Sequence, residues 1–119
     1  MKPVQKVLIG GNYWEIHKLT PKISKKFIKY LKQDPNMVTL RGFCEGDQKR
    51  IYIQPGQHPE NFLNCLLHEG LHAILMESCG YSDLLHSLNK DEEAIHHLTG
   101  EILNFFKQTM NGRGSAPGQ

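Results

Sequence analysis

The run LLHEGLH, residues 66–72, places two histidines four apart with a glutamate directly after the first. On an α-helix, residues four apart lie one turn apart on one face. His68 and His72 can therefore turn two imidazole nitrogens toward a single ion. Glu69 is rotated by about 100° from His68, so it is poorly placed to join them as a ligand but well placed to reach a water on the ion. Two neutral imidazoles holding zinc and a carboxylate serving as general base is the chemistry that HExxH on a helix provides. The chain holds seven histidines, and the spacing would arise by chance in about 3% of such sequences, so its setting matters. The surrounding residues Leu66, Leu67, Leu71, Ala73, Ile74 and Leu75 are apolar, and burying an unpartnered charge among them is costly. The competing reading is a polar surface patch on an amphipathic helix.

A catalytic zinc needs a third protein ligand and one open position. Downstream, His86, Asp91, Glu92, Glu93, His96 and His97 are candidates. The run DEEAIHHLTGEILNFF predicts a second helix that could bring one of them to the histidine pair. Its apolar residues Ile95, Leu98, Ile102 and Phe105 form a stripe. That phase puts Glu92 nearer the packed face than Glu93.

The other elements must position these two helices. A Gly-Gly pair between β-prone runs predicts a hairpin with strands near 4–9 and 13–18. Thr20 and Pro21 open a helix over 21–33, on which Ile23, Phe27, Tyr30 and Leu31 form one stripe. Asp34-Pro35 ends it. A second hairpin is expected over 37–54, from MVTLRGFC through the turn EGDQ to RIYIQ. Pro59 suits the first turn of the motif helix, Gly80 its end, and Asn89 the cap of the last helix. The expected fold class is α+β: a small antiparallel sheet of two hairpins packed against helices. The expected core includes Leu66, Leu67, Leu71, Ile74, Ile95, Leu98 and Ile102. One domain is expected over 1–110, with a disordered tail over 111–119.

Composition narrows the class. A 39% apolar and 22% charged chain of 119 residues is globular in character. A net charge of +2 points to neither nucleic acid nor a membrane surface as partner. Cys44, Cys65 and Cys79 are odd in number without CxxC spacing, which argues against a disulfide framework and for a reducing compartment. No run approaches the length of a spanning helix, and MKPVQKVLIGG lacks the apolar region of a signal peptide. A cytoplasmic location is expected.

HEGLH followed by EEAIHHLTG resembles the thermolysin-type gluzincins. In that family a glutamate about twenty residues after HExxH, followed by Ala-Ile and a glycine two turns on, is the third ligand. Glu93-Ala94-Ile95 and Gly100 match that pattern. The resemblance implies His68, His72 and Glu93 as zinc ligands and Glu69 as general base. Over residues 4–108 the chain also resembles small phage-encoded metallopeptidase-like chains, through CEGDQKRIYIQPGQHPE, LLHEGLHAIL and DEEAI. This implies a minimal zincin fold, a protein or peptide substrate and, for a phage protein, the bacterial host cytoplasm. Two features depart from the family. The aspartate that steadies a ligand histidine one turn after the glutamate is replaced by His97. No large C-terminal domain supplies a transition-state electrophile, a place for which Tyr81, His86, His96 and His97 are candidates. In zincins the strand before the motif helix commonly pairs with extended substrate, and here that strand is RIYIQ; an ordinary antiparallel strand is equally consistent with these residues.

Other features compete. Cys65 and Cys79 fall on the ligand side of the motif helix and could bind zinc, or be structural. The six lysines between Lys18 and Lys32 could track phosphates, though the solvated face of an amphipathic helix is the simpler reading. The alternatives to a zinc peptidase are a catalytically silent zinc-binding interaction domain, a nucleic-acid-associated module using helix 21–33, and a structural domain without metal.

Overall fold

In the computed structural model, which describes residues 2–30 and 41–111, the chain folds as α+β. Strand β1 (Gln5–Ile9) turns back into β2 (Asn12–Lys18) through Gly10 and Gly11, at φ of 57° and 84°. A two-residue turn that matches strand twist needs positive φ at both positions, which glycine adopts without steric cost. Helix α1 (Pro21–Tyr30) follows, and its Ile23 N–H donates to Thr20 Oγ1 at 3.3 Å, the cap expected from the sequence. Ile23, Phe27 and Ile28 face inward, while Lys22, Lys25, Lys26 and Lys29 are exposed. Strands β3 (Gly42–Glu45) and β4 (Arg50–Ile53) form the second hairpin. The Asp34-Pro35 stop, the last residues of the lysine helix, the start of the strand expected from 37 and the tail from 112 lie outside the described residues.

The four strands form one sheet in the order β1-β2-β4-β3. Both hairpins are antiparallel, but β2 and β4 run parallel, with Ile16 opposite Ile51. The sheet is therefore mixed, not wholly antiparallel as expected. A parallel pair needs a crossover connection, and the stretch containing α1 supplies it. Turn residues specify each hairpin locally, whereas the join between hairpins depends on where the crossover packs.

Alternation along the strands separates two cores. Trp14, Ile16, Ile51 and Ile53 face α2 (Pro59–Ser78) and pack with Ala73. Leu19 and Tyr52 pack with Phe27 of α1 on the other face, where Phe27 stacks on Phe43 at 4.2 Å between ring centroids. Helix α2 begins at Pro59, as the sequence predicts, with His58 Nδ1 accepting from Glu60 N–H at 3.2 Å. It ends at Ser78, and Gly80 lies within the 3-10 turn Cys79–Tyr81 that follows, without a positive φ.

Helices α3 (Asp83–Asn89) and α4 (Glu92–Asn111) pack on α2. Asp91 Oδ1, not Asn89, caps α4 by accepting from Ala94 N–H at 3.1 Å. An ion pair between Lys107 and Glu60 ties the end of α4 to the start of α2, so the two helices run antiparallel. Because α2 is packed between the sheet and α3–α4, two of its faces turn inward. Of the expected core, Ile95 is fully buried and Leu66, Leu67, Leu71, Leu98 and Ile102 are half-buried. Ile74 is a correction: it is 49% exposed, on the side of α2 that neither neighbour covers. The buried stripe of α4 is Ile95, Thr99 and Leu103, and Phe105 points outward. No described helix is long and apolar enough to cross a membrane.

One carboxylate fixes the far end of α2 to both hairpins. Glu77 accepts from Trp14 Nε1 and Lys49 Nζ, each at 2.7 Å, and from Asn12 Nδ2 at 2.9 Å. Gly10 lets the first hairpin turn approach this close, since a Cβ there would stand 2.8 Å from Glu77 Cβ.

Candidate metal centre

Helices α2 and α4 bring three side chains together: His68, His72 and Glu92. One potential ligand atom from each lies within 4.8 Å of the others. The Glu92 carboxylate bridges the two rings, with Oε1 2.7 Å from His72 Nε2 and Oε2 3.2 Å from His68 Nε2. The imidazoles stand 5.1 Å apart between centroids, edge to face, as expected for neighbours one helical turn apart.

The surroundings of the three groups differ. His72 is buried, and its Nδ1 is 2.8 Å from Asn89 Oδ1 at the end of α3. His68 is less enclosed. Burial holds its pKa below the ordinary imidazole value, with Glu92 opposing and the charges of His72 and His96 adding to the depression. Depression favours the neutral ring, the form that can ligate a metal. The Glu92 side chain is 68% exposed, so the group opens to solvent on that side.

Glu69 occupies the adjoining face of α2 and points toward β3. A Cβ on Gly42 would stand 3.1 Å from Glu69 Oε2 and 3.2 Å from its Cγ, so the missing side chain makes room for this carboxyl. Burial pushes the Glu69 pKa up to about 7; His72 opposes the rise and Glu92 adds to it. The charge interactions place Glu69 in the electrostatic reach of the histidine–carboxylate group. The nearby Cys44 thiol is pushed up to about 12, by burial first and by Glu69 second.

The resemblance implied Glu93, but the geometry departs from it. Glu93 is exposed and stands outside the group, where its neighbour Glu92 takes part. The helical phase explains this, because Glu92 shares a face with the buried Ile95 and Thr99. His86 and His97 are exposed, Tyr81 is 87% exposed in the 3-10 turn, and His96 is exposed but close enough to act on His68. The cysteines stay outside the group. The Cys65 thiol lies 3.5 Å from Gln57 Oε1, and the Cys79 thiol donates to Met76 O at 3.2 Å.

The strand RIYIQ also differs from expectation. As β4 it lies inside the sheet, paired with β2 on one side and β3 on the other. Both of its backbone edges are used, so it cannot add an extended peptide. Tyr52 and Ile53 are buried. Asn89, the partner of His72 Nδ1, is legible in the sequence only as a residue suited to a helix cap. Gly42 carried no signal in the sequence.

Comparison with known proteins finds no matching family model, no matching curated protein and no matching solved structure.

Proposed function

We propose that this chain is a zinc-dependent peptidase of the HExxH kind, with His68, His72 and Glu92 as the metal-holding set and Glu69 as general base. The observation that supports it most is the meeting of Glu92 with both motif histidines across two helices. The donor set fits zinc. Two imidazole nitrogens and one carboxylate oxygen leave a fourth position free, the arrangement of catalytic zinc sites. Donors around a tetrahedral zinc stand about 3.3 Å apart; here one donor atom from each of the three residues lies within 4.8 Å of the others, so a small inward movement would close them on an ion.

When bound, the ion would supply Lewis acidity toward a water and a substrate carbonyl. The chain's own residues do the rest. His72, enclosed and fixed by its neighbours, presents Nε2 toward Glu92. In this reading Glu69, on the adjoining face of the same helix, takes a proton from the water and returns it to the leaving amine. Its carboxyl sits near neutrality through burial, and a proton-transfer group is most effective when its pKa is near the working pH. The solvent-open side at Glu92 gives a peptide access. The proposal takes a protein or peptide as substrate and a cytoplasmic setting, as the resemblance to small phage-encoded gluzincin-like chains implies.

The test is Glu69→Gln, assayed with zinc-loaded protein on a mixed library of internally quenched peptides. The variant is expected to keep one zinc per chain and lose cleavage. Cleavage at the wild-type rate would refute the role of Glu69. Wild-type protein that binds zinc but cleaves nothing would leave a zinc-binding interaction domain.

A further inference from the structure

We infer that Asn89 is a positioning residue for the proposed metal centre: its side-chain carbonyl orients the His72 ring so that Nε2 is the nitrogen offered to a metal. The inference rests on the zinc reading and deepens it. A carbonyl oxygen can only accept a hydrogen bond, so the 2.8 Å contact from Asn89 Oδ1 places a proton on His72 Nδ1. Nε2 is then the nitrogen left for a metal, which would take the place of the proton that Nε2 donates to the Glu92 carboxylate in the metal-free chain. That nitrogen lies 2.7 Å from Glu92 Oε1, on the side where the three groups meet. The His72 side chain is only 10% exposed, so water cannot readily substitute for the amide as the ring's partner.

The fold gives Asn89 this task by leaving the capping of α4 to Asp91. Helix α3 is seven residues long and packs on both α2 and α4. Asn89, its last residue, is thereby held against the buried motif histidine. His68 lacks an equivalent acceptor: its hydrogen-bond partner among the described residues is Glu92 itself. One histidine is thus preset and the other is free to adjust as an ion enters. A neutral amide raises the basicity of the ring less than a carboxylate would, which leaves a bound ion more electrophilic.

Two measurements on the full chain test this. The first is zinc titration against a competing chromophoric chelator. Asn89→Leu is expected to weaken zinc binding about 10- to 100-fold, the usual effect of losing such a partner. Asn89→Asp is expected to restore wild-type affinity or exceed it, with a metal-free Tm near wild type, whereas Asn89→Leu, which leaves the enclosed Nδ1–H without an acceptor, is expected to lower the metal-free Tm. The second is nitrogen-15 NMR of the histidine rings without metal, where a proton on His72 Nδ1 is expected in wild type and is expected to be lost or redistributed in Asn89→Leu. Zinc affinity in Asn89→Leu equal to wild type would overturn the inference. So would Asn89→Asp binding as weakly as Asn89→Leu, or a bare Nδ1 in wild type. Wild-type protein that takes up no zinc would instead refute the proposed function, and the metal-free ring measurement would still decide the role of Asn89.

Discussion

Replacing Glu69 with glutamine should stabilise the metal-free protein, and by an amount that grows with pH. Burial beneath α2 against Gly42 raises the carboxyl from its ordinary value of 4.5 to about 7. In that interval the folded state holds the proton more tightly than the unfolded state. The protonated carboxyl's contribution is therefore complete below about pH 4.5 and is lost as pH rises through about 7. At about 1.4 kcal/mol per pH unit, the gap corresponds to about 3 kcal/mol. That is a large part of a typical folding free energy of about 5–15 kcal/mol. Glutamine is neutral throughout and avoids this cost. The assay is urea unfolding of both proteins at pH 4, 6 and 8 with a chelator present. Other titrating groups are common to both and largely cancel. The variant-minus-wild-type difference should rise by about 3 kcal/mol from pH 4 to pH 8. A difference flat across pH, or a variant less stable at pH 8, would refute the placement of a buried carboxyl near the histidines. Bound zinc should shrink the effect, because a nearby cation favours the carboxylate.

Other consequences can be checked alongside it. Gly42→Ala puts a Cβ 3.1 Å from Glu69 Oε2 and 3.3 Å from Tyr52 O, so the carboxyl must shift. Zinc affinity should change less than about threefold while kcat for peptide cleavage falls by about tenfold or more, since small misplacements of a reacting group are costly. Glu77→Gln removes the charge from a carboxylate that accepts from Lys49, Trp14 and Asn12. It should cost about 1–3 kcal/mol in denaturant unfolding near pH 7. Those hydrogen bonds, that of Lys49 first, hold the Glu77 pKa below 4.5. Wild type should therefore lose this contribution as pH falls below the ordinary carboxylate value, and the two unfolding curves should converge there.

The features legible in the sequence were those specified over a few residues. Gly10-Gly11 marked a turn, Thr20-Pro21 a helix start, and His68-x-x-x-His72 a pair on one face. The parallel pairing of β2 with β4 was not legible, because it depends on the crossover and not on either hairpin. It also moved RIYIQ from an expected substrate-binding edge to the sheet interior. For the acidic partner of the two motif histidines, two lines of reading disagree. Local pattern favoured Glu93, while the apolar phase of the last helix favoured Glu92. The folded helix follows its phase, since burial of Ile95, Thr99 and Leu103 decides which side meets α2. Ile74 belonged to an apolar run, but a helix covered on two faces still leaves one open. Asn89 reads in the sequence only as a helix cap; Asp91 takes that place, and the contact of Asn89 with His72 depends on how α3 packs against α2.

The most direct test of the account is the metal content of protein purified without a histidine tag or added metal, compared with Glu92→Gln and Glu93→Gln by elemental mass spectrometry. The account predicts one zinc per chain in wild type and in Glu93→Gln, and little or none in Glu92→Gln. Zinc retained in Glu92→Gln but lost in Glu93→Gln, or a wild type that takes up no zinc even on titration, would contradict it.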